Sequence, residues 1–255
     1  MTLVGRWIRG LRGAVGFLTR VPIDYRDGDW NAFRTTPTTF PVVGYVAGAL
    51  TAIPLLAAGM LAPPTVALGY LLAVYAVMGI HHLDGVADLG DALVVHGDVA
   101  RRRDVLTDTT TGVGALLAVS ATVAALALAG LGLAGLSVRT AVGVAVSAEV
   151  GTKLGMAAMA CFGAASYEGM GEQFTAASAP RSVVAPAVVA LPAALLTWPD
   201  PAAAVALCGA VAGIGLPWYM ANRHLGGISG DIFGAANEIG RIAGVHAGVI
   251  AWTLL

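Results

Sequence analysis

Apolar runs about as long as a bilayer crossing alternate in this chain with short polar stretches in which acids and bases crowd together. From Phe40 to Ile80 there is no charged residue, and the stretch that follows, HHLDGVADLGDAL, puts three aspartates and two histidines into positions 81 to 91. About 20 apolar residues let a helix cross the hydrocarbon of a bilayer, and the period-two alternation of a transmembrane barrel is absent. The pattern predicts an all-α, polytopic membrane bundle of about seven helices, one domain over 1–255, with spans near 40–61, 65–81, 112–135, 140–162, 182–198, 202–220 and 231–254. Pro63-Pro64 and Pro199-Asp200-Pro201 read as tight turns. Pro186 and Pro192 make the fifth span short and kinked, or a partial crossing. No internal repeat is evident, which counts against an inverted-repeat transporter.

Charge then orients the bundle. Apart from Arg139 and Arg241, every arginine falls in 1–39, 82–111, 163–181 or 221–230. Basic residues mark the inner side of a membrane protein, so these segments are expected in the cytoplasm and the chain in the cytoplasmic membrane. Arg6, Arg9 and Arg12 interleave with Trp7, Ile8 and Leu11, the pattern of an amphipathic helix lying on anionic lipid. This end lacks the long apolar core and small-residue cleavage site of a signal peptide. Most acids share the inner side, which places the chemistry at the cytoplasmic face.

Composition agrees. The chain is 57% hydrophobic and 11% charged, with a mean hydropathy of +0.79, against about 25% charged residues in soluble domains. A net charge of −1 gives nucleic acid no bulk attraction. Cys161 and Cys208 lie in apolar runs and read as small buried hydrophobes.

Asp84, Asp88 and Asp91 stand at i, i+4 and i+7, within about 60° of arc on one helical face. Carboxylates this close repel one another and call for a cation. A face of hard oxygen ligands suits Mg²⁺ or Mn²⁺, and such an ion at a membrane interface commonly clamps a phosphate or pyrophosphate. Gly85 and Gly90 argue against a plain solvated helix end, because glycine inside a helix implies close approach of a ligand or another backbone. A second constellation, NRHLGGISGDIFGAANEIG at 222–240, starts with Arg223 and His224, passes through Gly226, Gly227 and Gly230, and opens a helix at Asp231. Backbone N–H groups of such a turn form an anion site. Asp231 and Glu238, at i and i+7, are expected to face the aspartate triad across a cleft. Weaker signals are Arg20 just ahead of the membrane, Asp108 after the basic triplet 101–103, and Glu149 with Lys153 at i, i+4 in the fourth span, which reads equally as a structural pair or a substrate contact.

These pieces together resemble the cobalamin synthases, the adenosylcobinamide-GDP ribazoletransferases, over nearly the whole chain. The matching stretches are Phe17-x-Thr19-Arg20-x-Pro22, Phe40-Pro41-x-x-Gly44-x-x-x-Gly48, His82-Leu83-Asp84-Gly85-x-Ala87-Asp88-x-x-Asp91, Asp108 with Gly112 and Gly114, Glu168-Gly169-x-Gly171, and Leu225-Gly226-Gly227-x-x-Gly230-Asp231-x-x-Gly234-Ala235-x-x-Glu238. The resemblance implies transfer of the adenosylcobinamide-phosphate group from adenosylcobinamide-GDP to α-ribazole or its 5′-phosphate, with release of GMP, dependence on Mg²⁺, and a place in the cytoplasmic membrane. On this reading Asp84, Asp88, Asp91, Asp231 and Glu238 hold metal, and His82 or a carboxylate accepts the proton. Arg20, Asp108, Lys153, Arg223, Gly226, Gly227 and Gly230 contact substrate. The partners are the two substrates and lipid, with room for a homo-oligomer or for association with other cobalamin-assembly enzymes. Two positions depart from the family pattern: Asp108-Thr109-Thr110 stands where Asp-Ser-Arg is common, and Val150 stands where an arginine is expected, with Lys153 one turn away. The competing readings are a CDP-alcohol phosphotransferase, disfavoured because Asp88 occupies the place of its arginine, and a cation transporter, disfavoured because the acid gathers at one face.

Overall fold

The computed structural model describes residues 3–108 and 110–254. Among these the chain is all-α, with two isolated β-bridges, Ala58 to Leu61 and Ala165 to Ile228, and no strand. Helix α1 (Leu3–Leu18) leads to a short α2 (Asp29–Arg34) and then α3 (Thr39–Thr51). The pair α4 (Pro63–Met78) and α5 (His81–Val94) precedes α6 (Val99–Leu106), α7 (Val113–Ala134) and α8 (Val138–Phe162). Helices α9 (Met170–Thr175) and α10 (Val184–Ala190) are short, and α11 (Ala202–Met220) and α12 (Gly230–Leu254) close the bundle.

Among the described residues, four helical stretches are long and apolar enough to cross a membrane: Thr39–Ala57, α7, α8 and Ala202–Leu225; a fifth arises only if α4 and α5 are joined as one. The expected count of about seven spans is not confirmed by length and composition, for local reasons. The second expected span stops at Gly79, whose φ of +74° ends α4, and α5 sets off at 94° to it. The Arg20 N–H bonds the Val77 carbonyl in the last turn of α4 at 2.6 Å. The fifth is split around Pro186 and Pro192 into a 3₁₀ turn, α10 and another 3₁₀ turn, as proline's missing N–H demands. The seventh, α12, has the length but carries Asp231, Glu238 and Arg241 and lies inside the bundle.

α8 and α12 form the centre, with α11 beside them. Gly209 and Gly213 of α11 face Ala247 and Ala243 of α12, so the two backbones approach closely. The N-terminal helix divides as its amphipathic pattern predicts. Its second half buries Gly10, Ala14, Val15 and Leu18, while Leu3, Val4 and Ile8 stay exposed beside Arg6 and Arg9. The buried Asp29 locks it to α2, accepting from Arg12 Nε and Nη2 at 2.5 and 2.7 Å and from the Arg26 N–H at 2.9 Å. These bonds, Arg12 foremost, hold the Asp29 carboxyl below its ordinary value. Cys161 is buried as expected, whereas Cys208 is exposed on α11.

Candidate active site

The bend at Gly79 turns α5 out of the spanning direction and lays its acidic face against the start of α12. Gly85 makes this approach possible: a Cβ there would sit 2.4 Å from the Asp231 carbonyl oxygen. Gly90 does the same toward α7, where a Cβ would meet the Gly114 carbonyl at 2.7 Å. Both glycines thus serve another backbone rather than a ligand. Asp84 is exposed, and Asp88 and Asp231 are partly buried. Partial burial, reinforced by the charges of Asp231, Asp84 and Asp91, pushes the Asp88 carboxyl up to about 7. Among the described residues none of Asp84, Asp88 and Asp231 has an ion-pair partner. Asp231 Oδ2 accepts the Ser229 hydroxyl at 3.1 Å.

Asp91 is used differently. Its two oxygens accept the Gly112 and Ala115 N–H groups at 2.7 and 2.9 Å, so it caps the N-terminus of α7, where an anion is favoured. Of the three triad members, it is the one committed to orienting the fold.

Asp84, Asp231, His81 and His82 line a cavity of about 450 Å³ whose other walls include Phe17, Phe40, Phe174, Phe233 and Met156. The rings belong to one cluster with Trp30 and Phe33, at centroid distances of 4.9 to 6.2 Å. Trp30 is anchored by its Nε1–H to Gln173 Oε1 at 2.7 Å. A second cavity of about 450 Å³ adjoins it, sharing Gly16, Phe17 and His81, and holds Arg20 and Tyr25. The structure therefore brings His82, Asp84 and Asp231 to one cavity and Arg20 to another that shares three of its lining residues.

The glycine turn differs from the expected anion site. The N–H groups of Gly226 and Gly227 both bond the Ala221 carbonyl, and the Ile228 N–H bonds the Ala164 carbonyl at 2.8 Å. These donors are spent inside the fold. Gly226, at φ +72°, lies under Arg103, whose Nε–H donates to the Leu225 carbonyl at 2.8 Å. The turn's work is to deliver Gly230 and Asp231 to the cavity, with the buried Ser229 capping α12 through the Ile232 and Phe233 N–H groups. Arg223 is exposed on the π-helical stretch Ala221–Leu225, and it does not line the cavity. Neither does Asp108, which accepts the Thr110 N–H at 3.0 Å. Thr109, one of the family departures, is outside the described residues.

Glu238 and Lys153 also differ from expectation. Both are fully buried, in a network of Glu149, Lys153, Asn237, Glu238 and Arg241. Lys153 Nζ donates to Glu149 Oε2 at 2.7 Å and to Asn237 Oδ1 at 2.6 Å. Arg241 pairs with Glu149 and, at 2.8 Å, with Glu238. Glu238 shares a helical stripe with Asp231, but two turns further along α12 that stripe has left the cavity and entered the bundle. Two acids and two bases balance there, and neither Glu238 nor Lys153 reaches the aspartate cluster or the cavity. His82, nearly buried, joins the network through its Nδ1, 3.1 Å from Asn237 Nδ2. Burial, then the charge of Lys153, holds its imidazole down to about 3, so it is neutral and a poor base.

Ser229 and Asn237 escaped the reading of the sequence. A serine two residues ahead of a helical aspartate is a recognisable cap signal; nothing local marks Asn237. Among the described residues no three His, Cys, Asp or Glu side chains are already closed around one point as a bound metal requires. The chemistry of the donors still fits a hard cation, because Asp84, Asp88 and Asp231 are uncompensated acids at one place.

Fold and site together define a helical membrane protein with an uncompensated carboxylate cluster beside an aromatic-walled cavity. The family model for CobS, cobalamin-5-phosphate synthase, matches residues 10–249, and the chain belongs to that family. It is 47% identical to an adenosylcobinamide-GDP ribazoletransferase of Halorubrum lacusprofundi, over 96% of this chain and 98% of the relative. It is 42% identical to one of Haloquadratum walsbyi, over 97% and 99%. With one of Halobacterium salinarum it shares 55% identity over 74% of this chain and 96% of the relative. No solved structure gives a significant match.

Proposed function

We propose that this chain transfers the adenosylcobinamide-phosphate group of adenosylcobinamide-GDP to α-ribazole or its 5′-phosphate, releasing GMP at the cytoplasmic face of the cell membrane. The name shared by its relatives supports the reaction. The observation that carries it to this site is the group of Asp84, Asp88 and Asp231, acids without cationic partners, two of which line a cavity with an aromatic wall.

Asp84, Asp88 and Asp231 would hold Mg²⁺, with Asp91 steadying α7 behind them. When bound, the ion supplies positive charge to the diphosphate oxygens. The chain's own residues do the rest. The ring cluster of Phe17, Phe40, Phe174 and Phe233 provides an apolar wall for the bulky substrate body. Arg20 places a cation at the adjoining cavity for a second anionic group. A ribose hydroxyl of the ribazole, one that a 5′-phosphate leaves free, forms a bond through its oxygen to the phosphorus that carries cobinamide, the bridging P–O bond breaks, and GMP leaves with the bridging oxygen. The hydroxyl proton passes to a carboxylate of the cluster.

The test is Mg²⁺-dependent GMP release by purified protein carrying Asp84→Asn or Asp231→Asn. Each is expected to lose it; near-normal release by either overturns the metal assignment. Release of CMP from a CDP-alcohol in place of GMP would overturn the reaction itself.

A further inference from the structure

The buried network holds one neutral side chain, Asn237, and its neighbours leave the amide a single orientation. Lys153 Nζ, which can only donate, stands 2.6 Å from Oδ1. Glu238 Oε1, an acceptor when ionised, stands 3.3 Å from Nδ2. The amide oxygen therefore faces the lysine and the amide nitrogen faces the glutamate. The same nitrogen is 3.1 Å from His82 Nδ1 and turns its other hydrogen toward it. A ring nitrogen that accepts carries no hydrogen, so the imidazole proton resides on Nε2. His82 lines the cavity beside Asp84 and Asp231, and among the described residues no hydrogen-bond partner is seen for its Nε2.

We propose that Asn237 is a positioning residue for the transfer: gripped by Lys153 and Glu238, it makes His82 Nδ1 an acceptor, so that His82 presents Nε2–H as a fixed hydrogen-bond donor to a phosphoryl oxygen of the bound diphosphate. The proposal rests on the transferase reading and gives His82 the opposite role from that of a proton acceptor. It also gives the buried charges a use, since Lys153 and Glu238 act on the cavity through one amide without entering it. A donor that needs no reorganisation at the moment of reaction is worth most in a site shielded from water.

Two measurements test it on the full-length protein in detergent or nanodiscs. In the first, ¹⁵N-histidine labelling reports the His82 tautomer, its signals identified by their loss in His82→Gln. The unmodified protein is expected to show hydrogen on Nε2 and none on Nδ1. Asn237→Asp, of the same shape but with acceptors only, is expected to draw hydrogen onto Nδ1. Hydrogen on Nδ1 in the unmodified protein, or an unchanged tautomer in Asn237→Asp, overturns the proposal. The second measurement is steady-state GMP release. Asn237→Asp is expected to lower kcat about 10- to 100-fold, the range for residues that orient a functional group, with KM little changed. His82→Gln, whose amide N–H reaches the place of Nε2–H, is expected to keep at least about tenfold more kcat than His82→Ala; equal losses overturn the donor role. If the unmodified protein shows the Nε2–H tautomer but releases no GMP, the tautomer assignment stands and the transferase reading falls.

Discussion

Two groups of charge in this chain have opposite bookkeeping. The network of Glu149, Lys153, Glu238 and Arg241 is fully buried, and its two acids meet two bases. The cluster of Asp84, Asp88 and Asp231 is partly open and meets no base among the described residues. Buried charge persists only when paired, and the first group is balanced in charge as it stands. The second keeps a net negative charge that no base among the described residues meets. Both contain a carboxylate from α12, seven residues apart. Position on the helix, toward the cavity or toward the bundle, decides which role each takes.

The largest effect is expected where the balanced group is broken. Arg241→Met leaves Glu149 with Lys153 alone and Glu238 with no cation, at a cost of about 3–5 kcal/mol. It should appear as a steep fall in Tm in detergent and in yield from membranes; a Tm like that of the parent would show that the pairs contribute nothing. Next comes the unbalanced group. Asp84→Asn and Asp231→Asn are expected to reduce turnover by about 10²- to 10³-fold, the scale for losing one group that meets transition-state charge, while leaving metal-free Tm unchanged or slightly raised. A Tm fall as deep as that of Arg241→Met would abolish the contrast between the two groups.

A smaller effect separates them by pH. The Asp88 carboxyl is raised to about 7 in the fold, from an unfolded value near ~4. Between these values the folded state binds more protons than the unfolded one, so stability falls as pH rises from about 4 to about 7. Without divalent cation, the protein is expected to melt lower at pH 7.5 than at pH 5.5 by an amount that Asp88→Asn removes. Mg²⁺ should raise Tm more at the higher pH. A pH response left intact in Asp88→Asn would assign it to another group. The smallest effect sharpens the triad itself. Asp91→Asn should cost about 1 kcal/mol through the cap on α7 and shift the Mg²⁺ concentration needed for activity far less than Asp84→Asn does.

The fold class was legible because bilayer thickness fixes the length of an apolar run, and the i, i+4, i+7 aspartates were legible because helix geometry fixes their face. The span count was not. A single positive-φ glycine ends α4 and sets α5 at 94° to it, which apolar length cannot register, whereas the break at Pro186 and Pro192 was already legible from the prolines. Glu238 was misplaced for a related reason. Its spacing from Asp231 puts the two on one stripe, but a stripe does not say where a cavity ends and the bundle begins. The i, i+3 spacing to Arg241 was the available clue, and Asn237 had none, because its meaning depends on Lys153 from another helix. Gly85 and Gly90 announced a close approach correctly, while the identity of what approached needed the structure.

The contact of Gly85 with the Asp231 backbone has a consequence for how the protein is made. It joins Gly85 to a residue of α12, which is synthesised well after α5. Chains emerge and fold from the N-terminus onward, so the aspartate face of α5 waits, with Asp231 absent, until α12 is in place. A chain arrested or truncated before that point carries the earlier apolar helices and the first aspartates but no assembled site, which makes this one glycine-to-backbone contact a report that α12 has been made and packed.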